Sequence, residues 1–187
     1  MPPLPPALPP PFSPLLNVVL HEPEIPNNTG NIGRTCIATG CALHLIRPLG
    51  FDTSEKACRR AGLDYWARLR PTEHDGWDGY LAGARPDRDR LWLFTTKASR
   101  PVWEADFRPG DHVVFGKETR GLPGEILGAY ADRLVALPMV PEERSLNLAT
   151  AVCAAAYEAI RQMAVRGDLS VDTAGRIVRP AAGEPRR

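Results

Sequence analysis

The chain has 187 residues, a net charge of +1, 43% hydrophobic residues and 24% charged residues. These values are ordinary for a soluble globular protein, and they exclude a chain that attracts nucleic acid through a strong overall positive charge. No apolar run approaches the roughly 20 residues of a membrane-spanning helix, so we expect no membrane association. The N-terminus lacks the basic start and the continuous apolar stretch of a secretory signal, and we therefore expect a cytoplasmic protein.

Four cysteines are spread along the chain: Cys36, Cys41, Cys58 and Cys153. None forms a Cys-x-x-Cys pair and no spacing suits a zinc site, so we expect no bound metal. Small buried thiols in a reducing compartment are the simpler interpretation.

Composition divides the chain into three parts. Residues 1–14 are mostly proline and apolar residues, which favours an extended, disordered arm. Residues 15–166 carry the core-forming patterns, and we expect one domain there. Residues 167–187 are rich in Arg, Pro, Gly and Ala, which is typical of a flexible tail.

Strand and helix patterns alternate along the central domain. A strand is predicted at 16–20 and a helix at 29–39, with Asn28 as its N-cap and Gly40 as its C′ residue. Further strands are predicted at 42–46, 66–69, 91–94, 112–115 and 134–137. Further helices are predicted at about 52–61, 72–82 and 123–129, and from Ser145 onward. This rhythm predicts an α/β fold with a mostly parallel sheet and helices on both faces.

The last helix carries one apolar stripe at helical spacing. Its members are Leu148, Val152, Ala155, Ala156 and Ile160. Ser145 has the residue type of an N-cap and is predicted to begin this helix. The stripe predicts that one face of the helix is buried against the sheet.

Three tracts, at 28–34, 115–123 and 137–148, each follow an apolar run that predicts a buried strand. Gly, Asn and Ser dominate where each run ends. The carboxyl ends of parallel strands meet at one edge of a sheet, where α/β proteins bind ligands. We therefore expect the three tracts to build one composite site.

Gly116 and Gly121 flank Glu118 in the second tract. Glycines let the backbone turn sharply and come close to a ligand, so this tract is interpreted as a wall of a binding pocket. Glu118 either contacts a ligand hydroxyl or pairs with Arg120 or Arg34, and the sequence leaves these alternatives open.

The tracts resemble the motifs of the SPOUT superfamily of RNA methyltransferases. The resemblance is strongest to its small tRNA 2′-O-methyltransferases of the TrmL or YibK type, and it spans roughly residues 16–165. The segments that carry it are 20–26, 28–34, 60–65, 115–123 and 137–148. It implies a C-terminal deep trefoil knot, S-adenosylmethionine as methyl donor and a homodimer. It further implies methyl transfer to the ribose 2′-OH of the wobble nucleotide of tRNA (position 34, cytidine or modified uridine), within the anticodon stem-loop.

The resemblance also implies which residues form the site. Arg34 matches the catalytic arginine, and Asn28 and Tyr157 are further catalytic candidates. The implied cofactor contacts are Phe94, Thr95, Gly116, Glu118, Gly121, Leu122, Leu137, Met139, Ser145, Leu146 and Asn147. The implied RNA contacts are His21, Arg34, Lys97 and Arg144.

Two roles are open for Arg34. An arginine side chain ordinarily keeps its proton, which favours a clamp that holds the substrate phosphate and stabilises the developing alkoxide. The alternative, proposed for relatives, is that a bound phosphate and a crowded site let the arginine act as the base.

The chain departs from the family pattern at three positions. His21 stands where relatives carry an aromatic residue, and Asn27 where they often carry proline. Gly33 replaces a bulkier apolar residue, which is expected to weaken the helix before Arg34. These changes leave the donor site untouched and bear on nucleotide preference.

Two other functions compete with methylation of the wobble nucleotide. One is the same chemistry at another tRNA site or on ribosomal RNA. The other is a non-catalytic RNA-binding module, which predicts a damaged donor pocket or a missing Arg34. A dinucleotide-dependent dehydrogenase is disfavoured, because no Gly-x-Gly-x-x-Gly turn follows the first strand.

Overall fold

The structure is a computed structural model that describes residues 14–53 and 64–178. The proline-rich arm, most of the helix predicted at 52–61, Cys58 and the end of the predicted tail lie outside the described residues.

Six parallel strands form the central sheet. Their bounds are β1 Leu16–His21, β2 Ala42–Ile46, β3 Thr72–His74, β4 Leu91–Phe94, β5 Asp111–Phe115 and β6 Leu134–Val135. Their order across the sheet is β3-β2-β1-β5-β4-β6. In the middle of the sheet, Val18 pairs with Leu43 on one side and with Val113 on the other. The central strands are continuous apolar runs because both faces of a parallel sheet are covered.

Helices cover both faces of this sheet. Their bounds are α1 Pro26–Thr39, α2 Trp66–Leu69, α3 Gly76–Ala84, α4 Gly124–Ala129 and α5 Leu148–Arg166. Leu16, Val18 and Leu20 face the core that α1 and α5 complete. Val19 and Ile46 face the opposite core, beneath α3 and α4. The predicted fold class is thereby confirmed, and no helix of the described residues is both long and apolar enough to cross a membrane.

The segment between β2 and α3 differs from the sequence prediction. Residues 66–69 form α2 and not a strand, since a four-residue apolar run does not distinguish the two structures. Thr72 begins β3, and the helix expected there starts at Gly76. Gly33 has a packing role here, because a Cβ at this position would lie 2.9 Å from Leu69 Cδ2. Glycine therefore lets α1 approach α2, which compensates for its low helix propensity.

Both caps predicted at the starts of the long helices are wrong. α1 begins at Pro26, which places Asn28 in its first turn instead of at its N-cap. α5 begins at Leu148, and its N-cap is Asn147 instead of Ser145. The predicted C′ glycine is confirmed, since Gly40 has a φ of 72° and donates its N–H to the Cys36 carbonyl.

The two ends of the last helix also bear on the prediction. The apolar stripe is confirmed as buried at Leu148, Val152, Ala155, Ala156 and Ile160. After Gly167, β7 Ser170–Val171 pairs antiparallel with β8 Ile177–Val178, so the described part of the predicted flexible tail contains a hairpin.

The last strand of the sheet, predicted at 134–137, is shorter than expected. It ends at Val135, and Ala136 forms an isolated bridge with Pro101. The trefoil knot stays a prediction.

Candidate active site

A cavity of about 630 Å³ opens at the carboxyl edge of the sheet. Phe94 and Phe115, the last residues of β4 and β5, lie in its wall. Every residue predicted to contact the cofactor lines it: Phe94, Thr95, Gly116, Glu118, Gly121, Leu122, Leu137, Met139, Ser145, Leu146 and Asn147. The structure therefore brings the three tracts to one cavity, whose size is typical of a small-ligand site.

One side of the cavity is apolar. The rings of Phe94 and Phe115 stack with their centroids 4.4 Å apart and an interplanar angle of 17°. Leu122, Leu137 and Met139 also line the cavity. Such a wall suits the flat or aliphatic part of a ligand, because burying apolar surface is favourable while polar groups need partners.

The loop at 116–121, the cavity loop, closes on itself. The Gly121 N–H donates to the Lys117 carbonyl at 3.0 Å, and Gly121 has a φ of 67°. A Cβ on Gly116 would lie 2.2 Å from the Gly121 carbonyl carbon, which is backbone that cannot move aside independently. Gly116 is thus required by the closure of the loop itself, whereas the sequence suggested the approach of a ligand.

Glu118 binds the start of α1. Its carboxylate accepts the Glu24 N–H at 2.9 Å, the Ile25 N–H at 3.3 Å and the Asn28 Nδ2–H at 3.0 Å. Among the described residues these three donors are its partners, and neither Arg34 nor Arg120, the predicted ionic partners, is one of them. The carboxylate therefore connects the cavity loop to α1 and satisfies backbone donors that precede the helix.

Asn28 and Asn147 join the first tract to the third. The Asn147 Nδ2 donates to Asn28 Oδ1 at 2.9 Å, while Asn147 Oδ1 accepts the N–H groups of Ala149 and Thr150. Asn28 is buried and uses its amide N–H for Glu118. One chain of hydrogen bonds therefore runs from the cavity loop through α1 to the start of α5.

Cationic side chains surround the mouth of the cavity. Lys97 and Arg144, both predicted to contact RNA, line it together with Arg120 and Lys117. Lys117 is paired with Glu22, so the other three supply most of the local positive charge. A cluster of this kind can hold a polyanion even though the whole chain is almost neutral.

Three predicted site residues lie outside the cavity lining of their own chain. Arg34 is exposed, and its guanidinium carbon lies 4.8 Å from the centroid of the Tyr65 ring. Tyr157 is 55% exposed on α5. His21 is only 4% exposed, which argues against the predicted RNA contact. Burial lowers the pKa of His21, although the nearby Glu22 carboxylate opposes this effect.

Sequence reasoning missed two residues beside the cavity. Glu24 accepts both the N–H and the hydroxyl of Thr119, which lines the cavity. Neither residue carries a local signal, because the pair is separated by 95 positions. The parallel pairing of β1 with β5, from which both loops emerge, is the feature that brings them together.

The sequence model of the SpoU rRNA methylase family matches residues 15–157. The chain belongs to this family. Its resemblance to the SPOUT superfamily is thereby confirmed. Within the SpoU family, the chain is 47% identical over 154 residues to a protein of Saccharophagus degradans named tRNA (cytidine(34)-2′-O)-methyltransferase. The match covers 82% of this chain and 99% of that protein.

Solved structures also match about four-fifths of the chain. One, described as giving structural insights into the 2-OH methylation of C/U34 on tRNA, has 45% identity and a TM-score of 0.72, over 81% of this chain and 97% of that one. Another is the SpoU methyltransferase AviRb of Streptomyces viridochromogenes in complex with the cofactor AdoMet. It has 27% identity and a TM-score of 0.66, over 82% of this chain and 59% of that one.

Proposed function

We propose that this SpoU-family enzyme transfers a methyl group from S-adenosylmethionine to the ribose 2′-OH of nucleotide 34 of tRNA. The observation that carries the proposal is the single cavity shared by the three tracts. Relatives that align over nearly their whole length and bear the name of this reaction support it.

The cavity fits the cofactor by size and by lining. Its volume, about 630 Å³, falls within the range of small-ligand sites. Phe94, Leu137 and Met139 would hold the apolar parts of S-adenosylmethionine, and the cavity loop would lie along its polar parts. When bound, the cofactor supplies a methyl group on a positively charged sulfur, which is already activated for displacement.

The chain must then place the ribose hydroxyl and help it lose a proton. We assign Arg34 the role of a clamp that binds the substrate phosphate and stabilises the developing negative charge. Its support is local order: the guanidinium lies over Tyr65, whose hydroxyl donates to the Gly30 carbonyl at 2.5 Å. This contact favours one orientation of the exposed Arg34 side chain before the substrate arrives.

In a homodimer, Arg34 and Tyr157 of one copy would lie near the cavity of the other copy. Both are exposed and lie outside the cavity of their own chain. On the outer face of α5, Ala154, Tyr157 and Val165 are exposed, and the exposed Arg161 lies between Tyr157 and Val165. Exposed apolar side chains on one helix face favour association with a second copy, which would bring such residues near the other cavity.

The cationic mouth supports an RNA substrate. Lys97, Arg120 and Arg144 would meet phosphates beside the bound nucleotide. We propose the cytoplasm as the compartment of this reaction.

The same chemistry on ribosomal RNA is the second candidate, favoured by the description of the matching family. Three substrates separate the two functions: an anticodon stem-loop, the same stem-loop with a 2′-deoxy nucleotide at position 34, and ribosomal RNA. Transfer of tritiated methyl from S-adenosylmethionine is measured with the purified chain. We expect labelling of the first substrate alone. Labelling of the deoxy stem-loop or preferential labelling of ribosomal RNA would contradict the proposal.

A further inference from the structure

The loop between β1 and α1, at residues 22–25, lies beside the cavity loop. The two loops follow neighbouring strands, in which Leu20 pairs with Phe115. The cavity loop lines the cavity along its length, whereas the loop at 22–25 contributes only Ile25 to the described lining. Glu24 is not part of this lining, so its effect on the cavity must pass through another residue.

Glu24 and the cavity loop exchange hydrogen bonds in both directions. The Glu24 carboxylate accepts the Thr119 N–H and the Thr119 hydroxyl, each at 3.0 Å. In return, the Glu24 N–H donates to the Glu118 carboxylate at 2.9 Å. The bonds from Thr119 lower the pKa of Glu24, so the carboxylate is ionised and accepts both donors at neutral pH.

The backbone of Glu24 is fixed on its other side. A Cβ on Gly50 would lie 2.6 Å from the Glu24 carbonyl oxygen, and the Gly50 N–H donates to the Pro23 carbonyl at 3.0 Å. Glu22, with a φ of 51°, pairs with Lys117. Because the loop at 22–25 is held on both sides, the Glu24 carboxylate presents a fixed acceptor pair to Thr119.

We propose that Glu24 is a positioning residue for the methyl-transfer reaction. Through Thr119, it holds the cavity loop in the shape that binds S-adenosylmethionine, and it touches neither cofactor nor substrate. The inference rests on the proposed function for its cofactor but not for its RNA target.

The test measures the Kd of S-adenosylmethionine by isothermal titration. We expect Glu24→Ala to raise the Kd about tenfold, because the cavity loop loses both acceptors of Thr119. Glu24→Gln should stay within about threefold, since its amide oxygen still accepts the Thr119 N–H. Asp172→Ala is the matched control: Asp172 also accepts two backbone N–H groups, those of Ala174 and Arg176, but it lies outside the cavity lining. Its Kd should equal that of the unmodified chain.

A double-mutant cycle tests whether the effect passes through Thr119. Thr119→Val removes the hydroxyl donor but keeps the backbone N–H. With Glu24→Ala already present, adding Thr119→Val should change the Kd by less than about twofold, because the shared bond is already gone. Fully additive losses would overturn the proposal, and so would an unchanged Kd in a folded Glu24→Ala variant.

Steady-state kinetics supply a readout that a merely structural role would not give. We expect Glu24→Ala to raise the KM for S-adenosylmethionine about tenfold and to leave kcat within about twofold at saturating cofactor. A fall in kcat with unchanged KM would overturn the assignment. If the unmodified chain binds the cofactor but does not methylate nucleotide 34, the proposed function fails while the Glu24 measurement still stands.

Discussion

Asn147 Nδ2 donates a hydrogen bond to Asn28 Oδ1 at 2.9 Å, and the two residues are 119 positions apart. This bond ties the start of α5 to the first turn of α1. Because Asn28 also donates to Glu118, the bond extends to the cavity loop. The separate parts of the cavity are therefore held in one relative position before any ligand binds.

Asn147 caps α5 and also links α5 to Asn28, and substitutions can separate these two roles. Asn147→Asp keeps an oxygen that caps α5, but it places an acceptor against Asn28 Oδ1. Turning the Asn28 amide around only moves this conflict to Glu118. We expect thermal stability close to that of the unmodified chain and about tenfold slower methyl transfer.

Asn147→Ala is the matched comparison. It removes the cap as well as the link, and we expect a loss of about 1 kcal/mol in the free energy of unfolding. Urea unfolding and single-turnover transfer measure the two effects. Equal activity in Asn147→Asp and the unmodified chain would show that the link to Asn28 has no part in the reaction.

Gly116→Ala tests the closure of the cavity loop. The added Cβ would meet the backbone of Gly121 at 2.2 Å, so the loop must open. We expect S-adenosylmethionine binding to weaken at least tenfold in isothermal titration. Gly128→Ala, in α4, is the control, because nothing lies within 4 Å of its Cβ. Similar affinities for the two variants would mean that the loop does not shape the site.

Arg34→Ala tests the proposed clamp. Arg34 lies outside the cavity lining, so we expect the affinity for S-adenosylmethionine to be unchanged. Methyl transfer to tRNA should fall at least a hundredfold, since charge stabilisation in the transition state is lost. Arg176→Ala, an exposed arginine in the C-terminal hairpin, should keep full activity. Full activity in Arg34→Ala would remove Arg34 from the mechanism.

Three histidines make stability depend on pH. His44 Nδ1 lies 3.0 Å from His74 Nε2, and His112 Nδ1 lies 2.7 Å from the Tyr80 hydroxyl. Burial lowers the pKa of His74, and it lowers the pKa of His44 and of His112 to about 4. The unfolded chain binds these protons near pH 6.5, whereas the folded chain does not. Their contribution to stability is therefore complete above pH 6.5 and is lost as the pH falls towards 4.

Urea unfolding between pH 7 and pH 5 measures this effect. We expect the free energy of unfolding to fall below pH 6.5 with a slope of up to about 1.4 kcal/mol per pH unit for each histidine. His112→Gln removes one titrating group and should make the slope shallower by about that amount. An unfolding free energy that is constant from pH 7 to pH 5 would contradict the conclusion that these histidines stay uncharged in the folded chain.

Local sequence patterns sufficed for much of the fold. The strands at 42–46 and 91–94 have the predicted bounds, because each is an apolar run between clear breaks. The three tracts converge because the ends of parallel strands must share one edge. The cofactor-contact candidates therefore line one cavity, even though their individual partners were not predicted.

Contacts between residues that are far apart in the sequence could not be predicted from local sequence patterns. Asn28 and Ser145 have the residue types of helix caps, yet Asn28 pairs with distant residues and Asn147 caps α5. Nothing near Glu24 or Thr119 in sequence signals their pairing. His44, His74 and His112 likewise come from three different strands, and the sequence around each one gives no sign that they lie together.

The most direct test of the account is nucleoside and oligonucleotide mass spectrometry of tRNA from cells with and without the gene for this chain. We predict a 2′-O-methyl group on nucleotide 34 that disappears without the gene and returns with the unmodified chain but not with Arg34→Ala. The same methylation of nucleotide 34 in both cell populations would contradict the account.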